Sequence, residues 1–174
     1  DSEEEVKKVL DEVRRRDEKL VEEVRKVNED SLDTLRKLAE EVKRKLDEVR
    51  ERVERLEVSE DVLRRIEELL KDLKRRLEEV LRKSEETLRR NKEEIEKTHK
   101  DTRDELKELE ELIKAGKDAE ELIREVERIV KKSEDMIREH IRKVEENVEE
   151  SKKEIEELIR RVDDILREAK EAAD

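Results

Sequence analysis

A chain of 174 residues in which 60% are Asp, Glu, Lys or Arg, with one Gly and no Phe, Tyr, Trp, Cys or Pro, cannot build a ring-filled globular core or a disulfide framework. Its formal charge of −12 argues against nucleic acid, because phosphate binding needs a basic face and single strands also use aromatic platforms. No more than two apolar residues follow one another, so neither a membrane span of about 20 residues nor the apolar segment of a signal peptide can be read.

The expectation is a soluble chain with no targeting signal, suited to recombinant cytoplasmic expression. With only 31% hydrophobic residues the composition borders on that of disordered chains, but those lack sustained helical periodicity. Here the periodicity runs from end to end. Ser2 followed by Glu5 has the form of a capping box and opens a helix over residues 2–57. Its apolar stripe runs Val6, Leu10, Val13, Leu20, Val24, Val27, Leu35, Leu38, Val42, Leu46, Val49, Val53 and Leu56. The period falls between about 3.5 and 3.6. Asp17, Ser31 and Thr34 are polar on that stripe, and Asn28 lies beside it.

A short link follows, in which Ser59 caps a second helix over residues 60–115 and Glu60 with Asp61 suits its positive end. So short a link makes the second helix antiparallel to the first. Its stripe begins and ends with aliphatics, but between them stand Ser84, Thr87, Asn91, Thr98 and Thr102, with Leu88 and Ile95 the only large aliphatics left. Gly116 suits a left-handed helix end, and Asp118 with Glu121 begins a third helix over residues 118–173. Ser133, His140, Asn147 and Ser151 interrupt its stripe of Leu122, Val126, Ile129, Met136, Ile137, Val144, Val148, Ile155, Leu158, Val162 and Leu166.

Three near-equal segments, each long enough for roughly 84 Å at about 1.5 Å per residue, define an all-α, antiparallel up-down-up three-helix bundle forming one domain over residues 1–174. Each helix has apolar surface for two neighbours and none to spare, which favours a monomer. Outward positions are charged, often as Glu with Lys or Arg four residues on, and mainly confer solubility.

Tight turns near residues 58 and 117 set residue i of the first helix opposite about 117 − i in the second and beside about i + 116 in the third. Asp17 then falls level with Thr102 and Ser133, and Asn28 with Asn91 and Val144. Ser31 falls level with Thr87 and Asn147, and Thr34 with Ser84 and Ser151. Buried groups left unpaired cost roughly 1–3 kcal/mol each, so the alignment predicts at least three cross-helix hydrogen-bonded layers that penalise wrong registers. The plainer alternative for any one residue is an outward position or a bond to the carbonyl four residues earlier.

With its capped, near-equal segments, its Glu/Lys/Arg surface and the sets Asp17-Thr102-Ser133 and Ser31-Thr87-Asn147, the chain resembles de novo designed helical bundles built with buried hydrogen-bond networks. That resemblance covers the whole chain. It implies no natural biochemical function, but a structural scaffold or, alternatively, an interaction module: a linked form of a designed heterotrimer or a component of a larger assembly. Spectrin-like repeats are the nearest natural comparison, but they are shorter and aromatic-anchored.

Two imidazoles are the only other candidates for chemistry. Glu96 and His99 have the Glu-x-x-His spacing of di-iron bundles, but Met136 stands where a partner motif would need Glu before His140. Threading also separates His99 and His140 by roughly 9 Å along the axis. No metal or cofactor is therefore expected. His140, on the stripe, belongs to a buried network with Glu94 or Thr98, and a buried neutral imidazole would make the bundle acid-sensitive. No nucleophile elbow, glycine-rich phosphate loop or singular carboxylate pair is present, so no enzyme activity and no catalytic residue are expected. No partner is required.

Overall fold

The computed structural model describes residues 2–173, with the backbone alone at Ser2, so the capping box expected of Ser2 and Glu5 lies outside the described residues. Three helices form a bundle: α1 Ser2–Arg55, α2 Glu60–Lys114 and α3 Ala119–Ala173. Their lengths of 54, 55 and 55 residues match the near-equal segments expected.

Both connections follow from local chemistry. Ser59 caps α2, accepting from the Val62 amide on Oγ at 3.3 Å and from the Leu63 amide on its carbonyl at 3.0 Å. Gly116 closes α2 at φ 79°, with its amide donating to Ile113 and the Lys117 amide reaching back to Leu112. Those two bonds make a Schellman motif, which needs a left-handed residue at this position. Asp118 then accepts from the Leu122 amide as α3 begins.

Packing divides the chain into two compact units, each containing part of all three helices. One comprises α1 through Glu29 together with Leu88–Glu145; the other comprises Asp30–Thr87 and α3 from Glu146. In the first unit α1 and α2 run antiparallel, as Arg14 bonding Glu110 and Arg25 bonding Glu96 show. The α1–α3 pair is parallel there, with Arg16 bonding Glu134. In the second unit Arg36 meets Glu85 and Lys45 meets Asp163, in the same senses. The α1–α3 pairs stand within two residues of the register read from the loop lengths, whereas the α1–α2 pairs reach four to seven residues beyond it along α2.

The second unit holds one continuous apolar cluster, from Leu35 to Val53 on α1, Ile66 to Leu77 on α2 and Ile155 to Ala169 on α3. The first unit holds two. One gathers Val6, Leu10 and Val13 with Leu106, Leu109, Ile113, Leu122, Val126 and Ile129; the other has only Val21, Val24, Ile95 and Ile137 at its centre.

The buried stripe differs from the sequence reading at several adjacent-residue choices. Along α1 it runs 6, 10, 13, 17, 21, 24, 28, 31, 35, 39, 42, 46, 49 and 53, all buried but the half-buried Ser31, with a period of about 3.6. Val21 is therefore inside where Leu20 was expected, and Asn28 is on the stripe instead of beside it. On α3 Ile137 turns inward and Met136 is 41% exposed, while Ile165 and Ala169 are buried and Leu166 is half-buried.

Candidate functional site

The interior polar side chains are the residues with something to decide, because each has lost water and must find a partner in protein. At the heart of the first unit Asp17 is 6% exposed and accepts two hydrogen bonds. Ser133 Oγ on α3 donates to Oδ1 at 2.8 Å, and His99 Nδ1 on α2 donates to Oδ2 at 2.6 Å. Three helices thus meet at one carboxylate.

Thr102, expected as the third member of this layer, is buried but donates to its own helix, at the Thr98 carbonyl, 2.9 Å away. A small void of about 10 Å³, lined in part by Asp17 and Thr102, lies beside both residues. Thr98 is likewise buried and donates to the Glu94 carbonyl at 2.9 Å. Both threonines take the bond to i−4 that a hydroxyl in a helix always has within reach.

In the second unit the buried Ser84 and Ser151 hydroxyls bond each other across α2 and α3. Two residues assigned to this region are corrected: Thr34 and Thr87 are exposed. A step of four from Ser31 to Leu35 and from Ser84 to Leu88 sends each preceding threonine about 100° away from the core. Thr34 donates to the Asp30 carbonyl at 2.8 Å. Ser31 and Asn147 are half-buried, and Asn147 Oδ1 lacks a hydrogen-bond partner, so no bonded Ser31-Thr87-Asn147 layer forms.

The remaining amides and the second imidazole are buried without being satisfied. Asn28 is 6% exposed with neither side-chain atom bonded, and Asn91 Nδ2 is also unpaired. His140, equally buried, has an unbonded Nδ1 whose nearest ionic neighbour is Glu94 Oε2 at 3.6 Å, too long for a hydrogen bond. Burial holds the His140 imidazole below its ordinary pKa of 6.5; Glu94 and Glu139 oppose that shift and Lys143 adds to it.

His99 was missed as a partner of Asp17. The threading offset placed it within one residue of the Asp17 level, but it was weighed only as a metal ligand, on its Glu-x-x-His spacing, and set aside with that reading. Glu96 is otherwise engaged, gripped by Arg25 through Nε at 2.6 Å and Nη2 at 2.8 Å, which holds its carboxyl below the usual range. Arg14 does the same to Glu110 at 2.8 Å. Between these two pairs, α1 and α2 leave an open cleft of about 1030 Å³, with Asp17 and His99 among its lining residues.

Among the described residues no three His, Asp or Glu side chains converge as a metal site, and no helix is long and apolar enough to cross a membrane. Comparison with protein-family models, with curated proteins and with solved structures finds no match.

Proposed function

We propose that the chain is a designed structural scaffold, a single-chain three-helix bundle with no biological substrate, whose buried polar side chains fix the register of its helices. The observation that carries this reading is the Asp17 carboxylate, bonded at once by His99 from α2 and Ser133 from α3. Sliding either neighbour by one turn, about 5.4 Å, removes a donor and leaves buried polar groups unpaired. Leu and Val layers impose no comparable penalty, because they repack in shifted registers. Near-equal helices and a charged exterior support the same reading.

The test replaces Asp17, His99 and Ser133 together with aliphatics and reads register by a short thiol cross-linker. Cysteines at Arg16 and Glu134 report the native register, and cysteines at Arg16 and Arg138 report a slip of one turn. The parent is expected to cross-link through the first pair alone and the aliphatic variant through both. Equal discrimination in the two proteins would end the register role.

One observation favours a second reading, in which the chain is a linked heterotrimer or a component of a larger assembly. Met136 and Leu112 are large hydrophobics left 41% and 37% exposed. Light scattering at micromolar concentration decides between them: one chain per particle supports the scaffold, and larger particles support the assembly.

A further inference from the structure

Beyond a role in register, the Asp17–His99 pair has the makings of a nucleophile. In a neutral imidazole one ring nitrogen carries the proton and the other a lone pair, and the partner of the first decides which is which. Asp17, as a carboxylate, can only accept, so its 2.6 Å bond places the proton of His99 on Nδ1 and the lone pair on Nε2. Among the described residues Nε2 has no hydrogen-bond partner, yet it is not sealed from solvent, and the ring lines the α1–α2 cleft. Ser133 holds the far oxygen of the carboxylate at 2.8 Å, so the ring is oriented from a third helix. His140 presents the opposite case, with a buried, unbonded Nδ1.

We propose that His99 Nε2 is an acyl-accepting nucleophile toward activated carboxylic esters, with Asp17 as its positioning residue. The lone pair of Nε2 attacks the ester carbonyl carbon, the bond to the leaving oxygen breaks, and that oxygen departs with its electron pair. The acyl group is then held on Nε2, and the ring's positive charge is balanced by the Asp17 carboxylate against Nδ1–H. Water attacks the acyl carbon, the C–Nε2 bond breaks, its electrons return to nitrogen, and the proton that the water sheds passes through solvent to the oxygen that departed. Ester plus water thus becomes acid plus alcohol.

The structure also limits the substrate class. The step as written leaves the departing oxygen unprotonated, so only esters of acidic alcohols, such as phenols, are cleaved. Arg103 lines the same cleft, four residues along α2, and has no ion-pair partner among the described residues. Its guanidinium is one of several cations lining the cleft that can face the developing oxyanion.

The full chain is assayed with p-nitrophenyl acetate beside 4-methylimidazole at equal concentration, together with His99→Gln, Asp17→Asn and His140→Gln. The parent is expected to exceed the free imidazole by at least roughly tenfold, and His99→Gln to lose that excess. His140→Gln keeps it. In Asp17→Asn, ring ¹⁵N shifts are expected to show His99 leaving the Nδ1–H tautomer, and the pH profile of the rate moves with it, which a purely structural role would not produce. Should His99→Gln unfold, limiting diethyl pyrocarbonate on the folded parent replaces it, and the rate must fall in proportion to the carbethoxylation of His99. A parent rate equal to that of 4-methylimidazole, a rate unchanged in folded His99→Gln, or a rate indifferent to carbethoxylation overturns the proposal.

Discussion

Asn28 and Asp17 are equally buried, each 6% exposed on the same stripe of α1, yet replacing each by Val should shift stability in opposite directions. What separates them is partnership. Asn28 carries two unbonded atoms, so the folded state already bears the desolvation of its amide, about 2 kcal/mol on mutational scales. Val removes that burden and adds about 1.5 kcal/mol of apolar burial, offset by about 1 kcal/mol for imperfect fit. Asn28→Val is therefore expected to stabilise by about 2–3 kcal/mol. Asp17→Val instead strands Ser133 Oγ and His99 Nδ1, and should cost about 2–4 kcal/mol. Guanidinium melts followed by helical circular dichroism check both, with midpoint shifts of about 0.5 M or more, upward for Asn28→Val and downward for Asp17→Val. A fall for Asn28→Val, or a rise for Asp17→Val, would refute the rule that partners and not burial decide the sign.

Acid should weaken the bundle through His140, whose pKa burial depresses in the folded chain below the ordinary 6.5. The unfolded chain then binds the proton first, so stability is complete above about pH 6.5 and declines as pH falls toward the lower folded value. Melting midpoints from pH 8 to pH 5 should fall in the parent and flatten in His140→Leu; equal slopes would remove His140 as the cause. Gly116→Ala meets no steric obstacle within 4 Å, but it forces a side chain into φ 79°. A loss of about 1–2 kcal/mol by chemical denaturation is expected. Thr34→Ala and Thr87→Ala, both on the outside, should each change stability by less than about 0.5 kcal/mol in the same assay.

What could be read in advance was whatever rests on distance along the chain. Two short links and equal helices set the register, and that register brought Asp17 to Ser133 and Ser84 to Ser151. Errors arose where two neighbouring residues both suited the stripe. Leu20 beside Val21, Thr34 beside Leu35, Thr87 beside Leu88 and Met136 beside Ile137 each offer a plausible inward choice, and one residue is a rotation of about 100°. Composition cannot break such ties; only the alternation of three- and four-residue steps phased over the whole helix can. Side-chain rotamers lie further from reach. Whether Thr102 turns to Asp17 or to the Thr98 carbonyl is settled by a single χ1, and nothing in the periodicity encodes it.

The first unit shows what interior polarity does to local stability. Its smaller apolar cluster has four buried side chains, Val21, Val24, Ile95 and Ile137, whose burial contributes roughly 6–12 kcal/mol. The unpaired atoms of Asn28, Asn91 and His140 in the same unit withdraw about 1–3 kcal/mol each, four atoms in all. The two sums are of the same order, so this stretch has little margin to keep its helices closed. The second unit spreads fifteen buried apolar side chains through one cluster, has the Ser84–Ser151 pair satisfied, and carries a single unpaired buried atom among its described residues, Asn147 Oδ1. Amide exchange should register the contrast, since opening free energies follow local burial. Residues 35–49, 70–77 and 155–162 should be the most protected, and residues 21–28, 91–98 and 137–144 should exchange markedly faster although they too lie in mid-helix. Maximum protection in the second set would mean that the Asn and His side chains find partners in solution, and that the polar interior binds more strongly than its hydrogen bonds indicate.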